Sequence, residues 1–280
     1  MKSYQLGLYE KSMPGALSLA EKLKETGDAL FDYLELSIDE TDEKLARLDW
    51  SGEEISSLMK AAEETGVPIK SICLSGHRRF PLGDTDAGIR QKSLEIMEKA
   101  LVLASRLGVR IIQIAGYDVY YKASSPETEK YFAENLEKSV RLAAREGVIL
   151  AFETMETPFI DTVEKAARYT KLFPSPYLQI YPDTGNTTNA ALKYGSSVTE
   201  DLEKGHGRIA ALHLKESKPG IYREVPYGEG HVNFREAAET AWRLGTRLFV
   251  AEFWHKPDDA SWRQTLHRNC VFLRSILDLM

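Results

Sequence analysis

An α/β fold, closed into a single (β/α)8 barrel, is predicted by three features of the sequence. Short apolar runs rich in β-branched residues occur eight times along the 280 residues. The segments between them carry the apolar spacing of amphipathic helices. Strands that alternate with helices and are apolar along their whole length belong to a parallel sheet covered by helices. Eight such units in a chain of this length favour closure into a barrel. An open doubly wound sheet fits less well, because no Gly-rich phosphate fingerprint follows the first strand.

The elements follow in order. The first strand is YQLGLYE (4–10), and Gly27 is read as the residue that closes the helix after it. YLELSID (33–39) is the second strand. Ser51-Gly-Glu-Glu54 then forms a capping-box pattern ahead of an apolar stripe over 55–65, which Gly66 ends. IKSICLS (69–75) is the third strand, and a long helical segment runs from it to Gly108. RIIQIAG (110–116) is the fourth. Ser125 and Pro126 supply a cap and a first-turn proline for EKYFAENLEKSVRLAA, closed by Gly147. VILAFET (148–154), LQIYPD (178–183) and IAALHL (209–214) are strands five to seven. Asn233 with Glu236 opens the helix FREAAETAWRL, Gly245 closes it, and LFVAEFW (248–254) is the eighth strand. No linker or low-complexity tract divides the chain, so one domain over residues 1–280 is expected.

Composition narrows the class. The hydrophobic fraction is 43% and the charged fraction 28%, as in ordinary globular proteins. No apolar run approaches the roughly 20 residues needed to cross a bilayer. MKSYQLGLYEKSMPG enters a strand pattern with no apolar leader, so a cytoplasmic location is expected. Cys73 and Cys270 are read as buried thiols without a disulfide. A net charge of −6 argues against broad affinity for nucleic acid or anionic membranes.

Glu153, Asp183, His213 and Glu252 stand at or near the ends of strands five to eight, spaced by 30, 30 and 39 residues. In a (β/α)8 barrel those ends converge on the active site. Three carboxylates and one imidazole suit a single divalent ion such as Zn²⁺, Mn²⁺, Mg²⁺ or Co²⁺, and the lack of cysteine ligands argues against a structural zinc. After strand three, Ser75-Gly76-His77-Arg78-Arg79 offers an imidazole and two guanidinium groups for a phosphate. Lys215 and Lys218 add cations beyond His213. Gly228-Glu229-Gly230-His231 is a loop able to wrap substrate or support His213. Tyr117, Tyr120 and Tyr121 are candidates for a pocket wall, with Asp118 to accept a substrate hydroxyl. His206, His255 and His267 are read as surface or packing residues.

Longer stretches carry a resemblance. GLYEK (7–11), SIDETDEKLARLDW (37–50), CLSGHRRFPLG (73–83), IQIAGYDVYY (112–121), YPDTGN (181–186) and HLKESKPG to VPYGEG (213–230) are similar to the bacterial L-xylulose-5-phosphate 3-epimerases of L-ascorbate and related pentose catabolism. This group lies within the xylose isomerase-like TIM barrels, and the likeness runs from about residue 4 to the C-terminal helix. It implies an isomerase that interconverts L-xylulose 5-phosphate and L-ribulose 5-phosphate. It also implies that Glu153, Asp183, His213 and Glu252 hold one divalent metal, that Glu153 and Glu252 double as the acid/base pair, and that the protein is a homodimer.

The implied chemistry is coherent. Inverting C3 of a 2-ketose requires removal of a proton beside the carbonyl and its return to the opposite face. A cation on O2 and O3 favours the enediolate, and two carboxylates exchange the roles of base and conjugate acid. Free-sugar epimerases of the wider group carry a histidine three residues after the aspartate ligand. Here that position is Asn186, which points to a phosphorylated ketose, with Asn186 and Glu229 as further substrate contacts. Two alternatives on the same scaffold are an aldose–ketose isomerase and an endonuclease IV-like phosphodiesterase; the shortage of histidines and of a basic stripe opposes the second.

Overall fold

The computed structural model describes residues 4–280. Residues 1–3, the start of the stretch read as running straight into a strand, lie outside the described residues. All eight expected strands form: β1 (Gln5–Tyr9), β2 (Tyr33–Ile38), β3 (Ile69–Leu74), β4 (Ile111–Ala115), β5 (Ile149–Glu153), β6 (Leu178–Tyr181), β7 (Leu212–Leu214) and β8 (Leu248–Ala251). Around them lie α1 (Leu19–Asp28), α2 (Asp42–Ala46), α3 (Gly52–Thr65), α4 (Ala87–Arg106) and α5 (Pro126–Glu146). The second half adds α6 (Val163–Leu172), α7 (Thr184–Tyr194), α8 (Val198–Glu203), α9 (Phe234–Arg243) and α10 (Trp262–Leu277).

The strands pair in parallel in the order β6-β5-β4-β3-β2-β1-β8-β7. The seam between β6 and β7 is looser. Pro182 has no amide hydrogen to donate there, which interrupts the ladder. Three bonds still close it: Ile180 N to Arg208 O (2.8 Å), Ala210 N to Ile180 O (2.9 Å) and His213 N to Pro182 O (2.9 Å). The barrel is therefore complete, with its weakest joint beside two of the candidate ligands.

Period-two alternation sorts the side chains. Leu34, Leu36 and Ile38 of β2, Leu150 and Phe152 of β5, and Leu212 and Leu214 of β7 point outward into the core beneath the helices. Each such buried side chain is worth about 1.5–3 kcal/mol. The intervening positions face inward: Tyr33, Cys73, Ile111, Ala151, Ala211 and Val250 fill the barrel. Continuing two residues toward the C-terminal ends, the same inward rows reach Glu35, Gln113, Glu153, His213 and Glu252, all buried. The site is thus the polar top layer of the interior.

The helix signals hold at Ser51, Ser125 and Asn233, each an N-cap whose side chain accepts the amide hydrogen three residues on. Such a cap contributes about 1 kcal/mol. Gly66 and Gly147 are left-handed C-caps, with φ of 68° and 66°. Gly27 differs. It lies inside α1, and the left-handed residue is Leu30 (φ 69°), whose amide bonds Gly27 O while Phe31 N bonds Thr26 O. The carbonyl of Leu30 accepts from Arg274 Nη2 at 2.7 Å, which helps to hold a conformation that a side chain disfavours. Cys73 and Cys270 are both buried and neither is in a disulfide. Among the described residues no helix is long and apolar enough to cross a membrane.

Candidate metal centre and substrate pocket

The four candidate ligands meet. Each of Glu153, Asp183, His213 and Glu252 offers one donor atom, and these atoms all lie within 4.8 Å of one another. Glu153 ends β5, His213 is central in β7, Glu252 follows β8, and Asp183 is the N-cap of α7. The cap role has a consequence. Asp183 Oδ1 accepts Asn186 N at 2.7 Å and lies 3.1 Å from Lys215 Nζ, which leaves Oδ2 to face the centre.

His213 is oriented by a residue the sequence reading did not single out. Its Nε2 lies 2.7 Å from Glu35 Oε1, while Nδ1 lies 3.2 Å from Glu153 and 3.0 Å from Glu252. Glu35 is itself held by Ser71 Oγ (2.6 Å) and Tyr181 OH (2.9 Å). A carboxylate that takes the Nε2 hydrogen fixes the tautomer with the Nδ1 lone pair toward the centre, as for metal-binding histidines generally.

The electrostatics fit a divalent cation. Among the described residues, Asp183 Oδ2 and Glu252 Oε2 are buried with no aligned hydrogen-bond donor. Burial pushes the Asp183 carboxyl well up, with Glu252 and Glu153 adding to the effect. Burial and the Glu252 charge likewise raise Glu153. Burial opposes a charge on His213, yet Glu35 and Glu252 outweigh it and draw a proton toward the ring. Carboxylates so crowded gather positive charge from whatever source is at hand, and an oxygen-rich set with one imidazole accepts it best as a metal ion. Lys215 stays charged against burial because Asp183 and Glu252 face it.

Above the centre opens a small cavity of about 50 Å³, lined by Glu153, Glu252, Asn186 and Lys215, by Tyr9, Cys73, Ser75, Met155 and Trp254, and by Lys11, Arg78, Glu156 and Arg223. Asn186 accepts Lys215 Nζ at 2.9 Å and donates to Thr154 O at 2.7 Å, so it steadies the lysine. Two larger hollows, one behind Trp254 and Trp262 and one over α5 and α6, contain none of the four ligands.

The other sequence candidates divide. Arg78 reaches the cavity, its guanidinium 4.6 Å from the centre of the Tyr120 ring. His77 does not: it is buried against α4 with Nε2 3.1 Å from Ser93 O, and burial lowers its pKa to about 4. Arg79 is exposed and pairs with Asp42 at 2.7 Å. Lys218 is exposed in a turn closed with Ile221, and Glu229 is exposed beyond Pro226. None of these last four lines the cavity. Asp118 is occupied by Ser124 Oγ and Thr128 Oγ1 at the head of α5. Tyr117 is buried, Tyr120 OH donates to Glu156 at 2.9 Å, and Tyr121 OH donates to Glu40 at 2.8 Å.

The loop after β7 is pinned by Glu216, which accepts the amides of Ser217, Gly228 and Val232. A Cβ at Gly230 would come within 2.2 Å of Glu216 Oε1, so only glycine fits under that clasp. His231 bonds Ser217 Oγ at 3.0 Å and does not reach His213. Lys11, Glu35, Glu156, Arg223 and Trp254 were not legible as site residues; the available signal was a charge set in an apolar run for Glu35 and a strand-end position for the others on β1, β5 and β8.

Residues 20–276 match the xylose isomerase-like TIM barrel family. The chain is 43% identical over 254 residues to the L-ribulose-5-phosphate 3-epimerase UlaE of Shigella boydii, covering 90% of this chain and 88% of that one. Among solved structures, the D-psicose 3-epimerase of Clostridium cellulolyticum superposes with a TM-score of 0.81 at 16% identity, covering 98% and 99% of the two chains. An L-ribulose 3-epimerase superposes with a TM-score of 0.77 at 15% identity, covering 99% and 95%. At these identities the two structures bear on the fold alone.

Proposed function

The chain belongs to the xylose isomerase-like TIM barrel family, among the relatives of L-ribulose-5-phosphate 3-epimerase, and from that membership we propose that it interconverts L-ribulose 5-phosphate and L-xylulose 5-phosphate. The observation that carries the reading is the convergence of Glu153, Asp183, His213 and Glu252 at the top of the barrel.

Asp183 and His213 would hold the ion, with one Asp183 oxygen left over from its capping role and His213 turned by its bond to Glu35. Glu153 and Glu252 would hold it as well, and they move the proton. A divalent cation held there would supply Lewis-acid stabilisation of negative charge developing on the substrate. One glutamate removes the C3 proton, the electron pair moves onto the C2 carbonyl oxygen, and the other glutamate returns a proton to the opposite face of C3. The two enter from strands three positions apart around the barrel, β5 and β8, which suits attack from opposite faces. Lys215, 3.9 Å from Glu252, adds fixed positive charge where negative charge develops. Gln113 Nε2 donates to Glu153 and limits its rotation.

The whole chain acts as one catalytic domain, in the cytoplasm and as a homodimer, with Zn²⁺, Mn²⁺, Mg²⁺ or Co²⁺ as the ion. The donor set supports each of these metals, and metal analysis of the purified protein identifies the resident one. Product analysis by NMR tests the reaction: L-ribulose 5-phosphate should give the C3 epimer. An aldose phosphate in its place would convert the assignment to aldose–ketose isomerisation.

A further inference from the structure

We propose that residues 218–228 form a lid over the cavity, pivoting at Gly220 and Gly228 and latched shut by the ion pair between Arg223 and Glu156. This goes beyond the epimerase reading, because it follows from the size of the closed cavity and holds for any organic substrate.

The cavity above the metal centre has a volume of about 50 Å³. That is room for only a few waters. Sites that hold small organic molecules run to about 300–1,000 Å³. A ketose phosphate therefore enters only if a wall moves. Every lining residue but one lies in a strand, within four residues of a strand's end, or in α7. Arg223 is the exception. It stands in the middle of residues 215–233, the long connection between β7 and α9.

That connection has a fixed base and a loosely held tip. Glu216 accepts the amides of Ser217, Gly228 and Val232, so one carboxylate ties down both ends of the stretch between them. Gly220 (φ 72°) and Gly228 (φ 82°) are left-handed, a freedom that suits a pivot. The tip crosses the mouth: Arg223 Nη2 lies 2.7 Å from Glu156 Oε1, on the loop after β5. Both side chains of this pair are partly in water, at 42% and 20% exposure, which keeps the latch weak enough to open. Glu224, next to the latch, carries a side chain at φ 62°, a conformation that opening would relieve. Behind Glu224, Val225 and Pro226 lies the hollow of about 170 Å³ shared with Trp254, so this side of the lid has room to give way.

Trypsin tests the lid, since it cuts after arginine and the Arg223–Glu224 bond fits a protease only when the segment is open. In metal-loaded protein, Glu156→Gln removes the latch and should speed cleavage at this bond roughly 3- to 10-fold. Gly220→Ala should speed it too, because alanine is strained at φ 72° while its Cβ would meet no neighbour. L-ribulose 5-phosphate at about ten times its dissociation constant should slow cleavage of the wild type by about 10-fold. Cleavage at the wild-type rate in either variant would overturn the proposal. So would an equal acceleration at sites outside 215–233, or substrate that binds without protecting the bond. Should the wild type not epimerise L-ribulose 5-phosphate, the functional reading fails, and the two variants compared without substrate still decide the lid.

Discussion

His213 Nε2 lies 2.7 Å from Glu35 Oε1, and that bond sets which nitrogen of the imidazole faces the other ligands. Both groups are fully buried, and Glu35 is further held by Ser71 and Tyr181. The pair joins β2 to β7 across the barrel interior, so the orientation of one ligand depends on an element far from the other three.

Glu35→Gln should therefore weaken metal binding while leaving the four ligands in place. Removal of such an outer carboxylate costs about 10- to 100-fold in affinity. Chelator competition read by metal release checks it. Affinity equal to wild type would show that Glu35 serves only packing.

Glu10 forms a second buried charge centre, outside the cavity. It accepts Arg47 through both oxygens (2.6 and 2.9 Å), Lys22 at 2.9 Å, Lys44 at 2.6 Å and the amide of Ser37 at 2.9 Å. Burial opposes its ionisation, but Arg47, Lys22 and Lys44 outweigh it and hold the carboxyl well below the usual range. A depressed acid stabilises the fold above its unfolded pKa and loses that contribution as pH falls below it. Glu10→Gln should destabilise the protein by about 3–5 kcal/mol at neutral pH, because three cations lose their partner. Urea denaturation measures this; a change under 1 kcal/mol would contradict the account.

His77 governs a different window. Its folded pKa is lowered to about 4 by burial, from an ordinary value of about 6.5. As pH falls through 6.5 the unfolded chain takes up a proton that the folded chain refuses. Stability should decline between pH 6.5 and 4, by up to about 3 kcal/mol from this residue, and this contribution should level off below that. His77→Gln should remove that slope. Persistence of an unchanged slope would assign it to other groups.

How much of this was legible depended on how local the cause was. The strands declared themselves because continuous apolar runs admit few other readings. Caps at Ser51, Ser125 and Asn233 were readable because the partner is three residues away. Gly27 misled because α1 ends on a turn at Leu30 that Arg274, 244 residues distant, helps to hold. His77 shared its segment with Arg78, yet one-residue steps in a 3-10 turn sent its ring to Ser93 and left Arg78 in the cavity. Glu35 looked like one polar residue in YLELSI; only closure of the barrel sets it beside His213. The four ligands were legible together since each lies at or near the C-terminal end of its own strand, whereas Arg223 lies in a loop with no periodicity to place it.

The central claim is that Glu153 and Glu252 move the C3 proton, and isotope exchange tests it most directly. Metal-loaded protein incubated in D₂O with L-ribulose 5-phosphate should place deuterium at C3 of substrate and product. Glu153→Gln and Glu252→Gln should each lower epimerisation by about 10²- to 10⁴-fold in a protein that remains folded. Absence of C3 deuterium in the wild type with every divalent metal tried, or epimerisation that survives both substitutions, would contradict it.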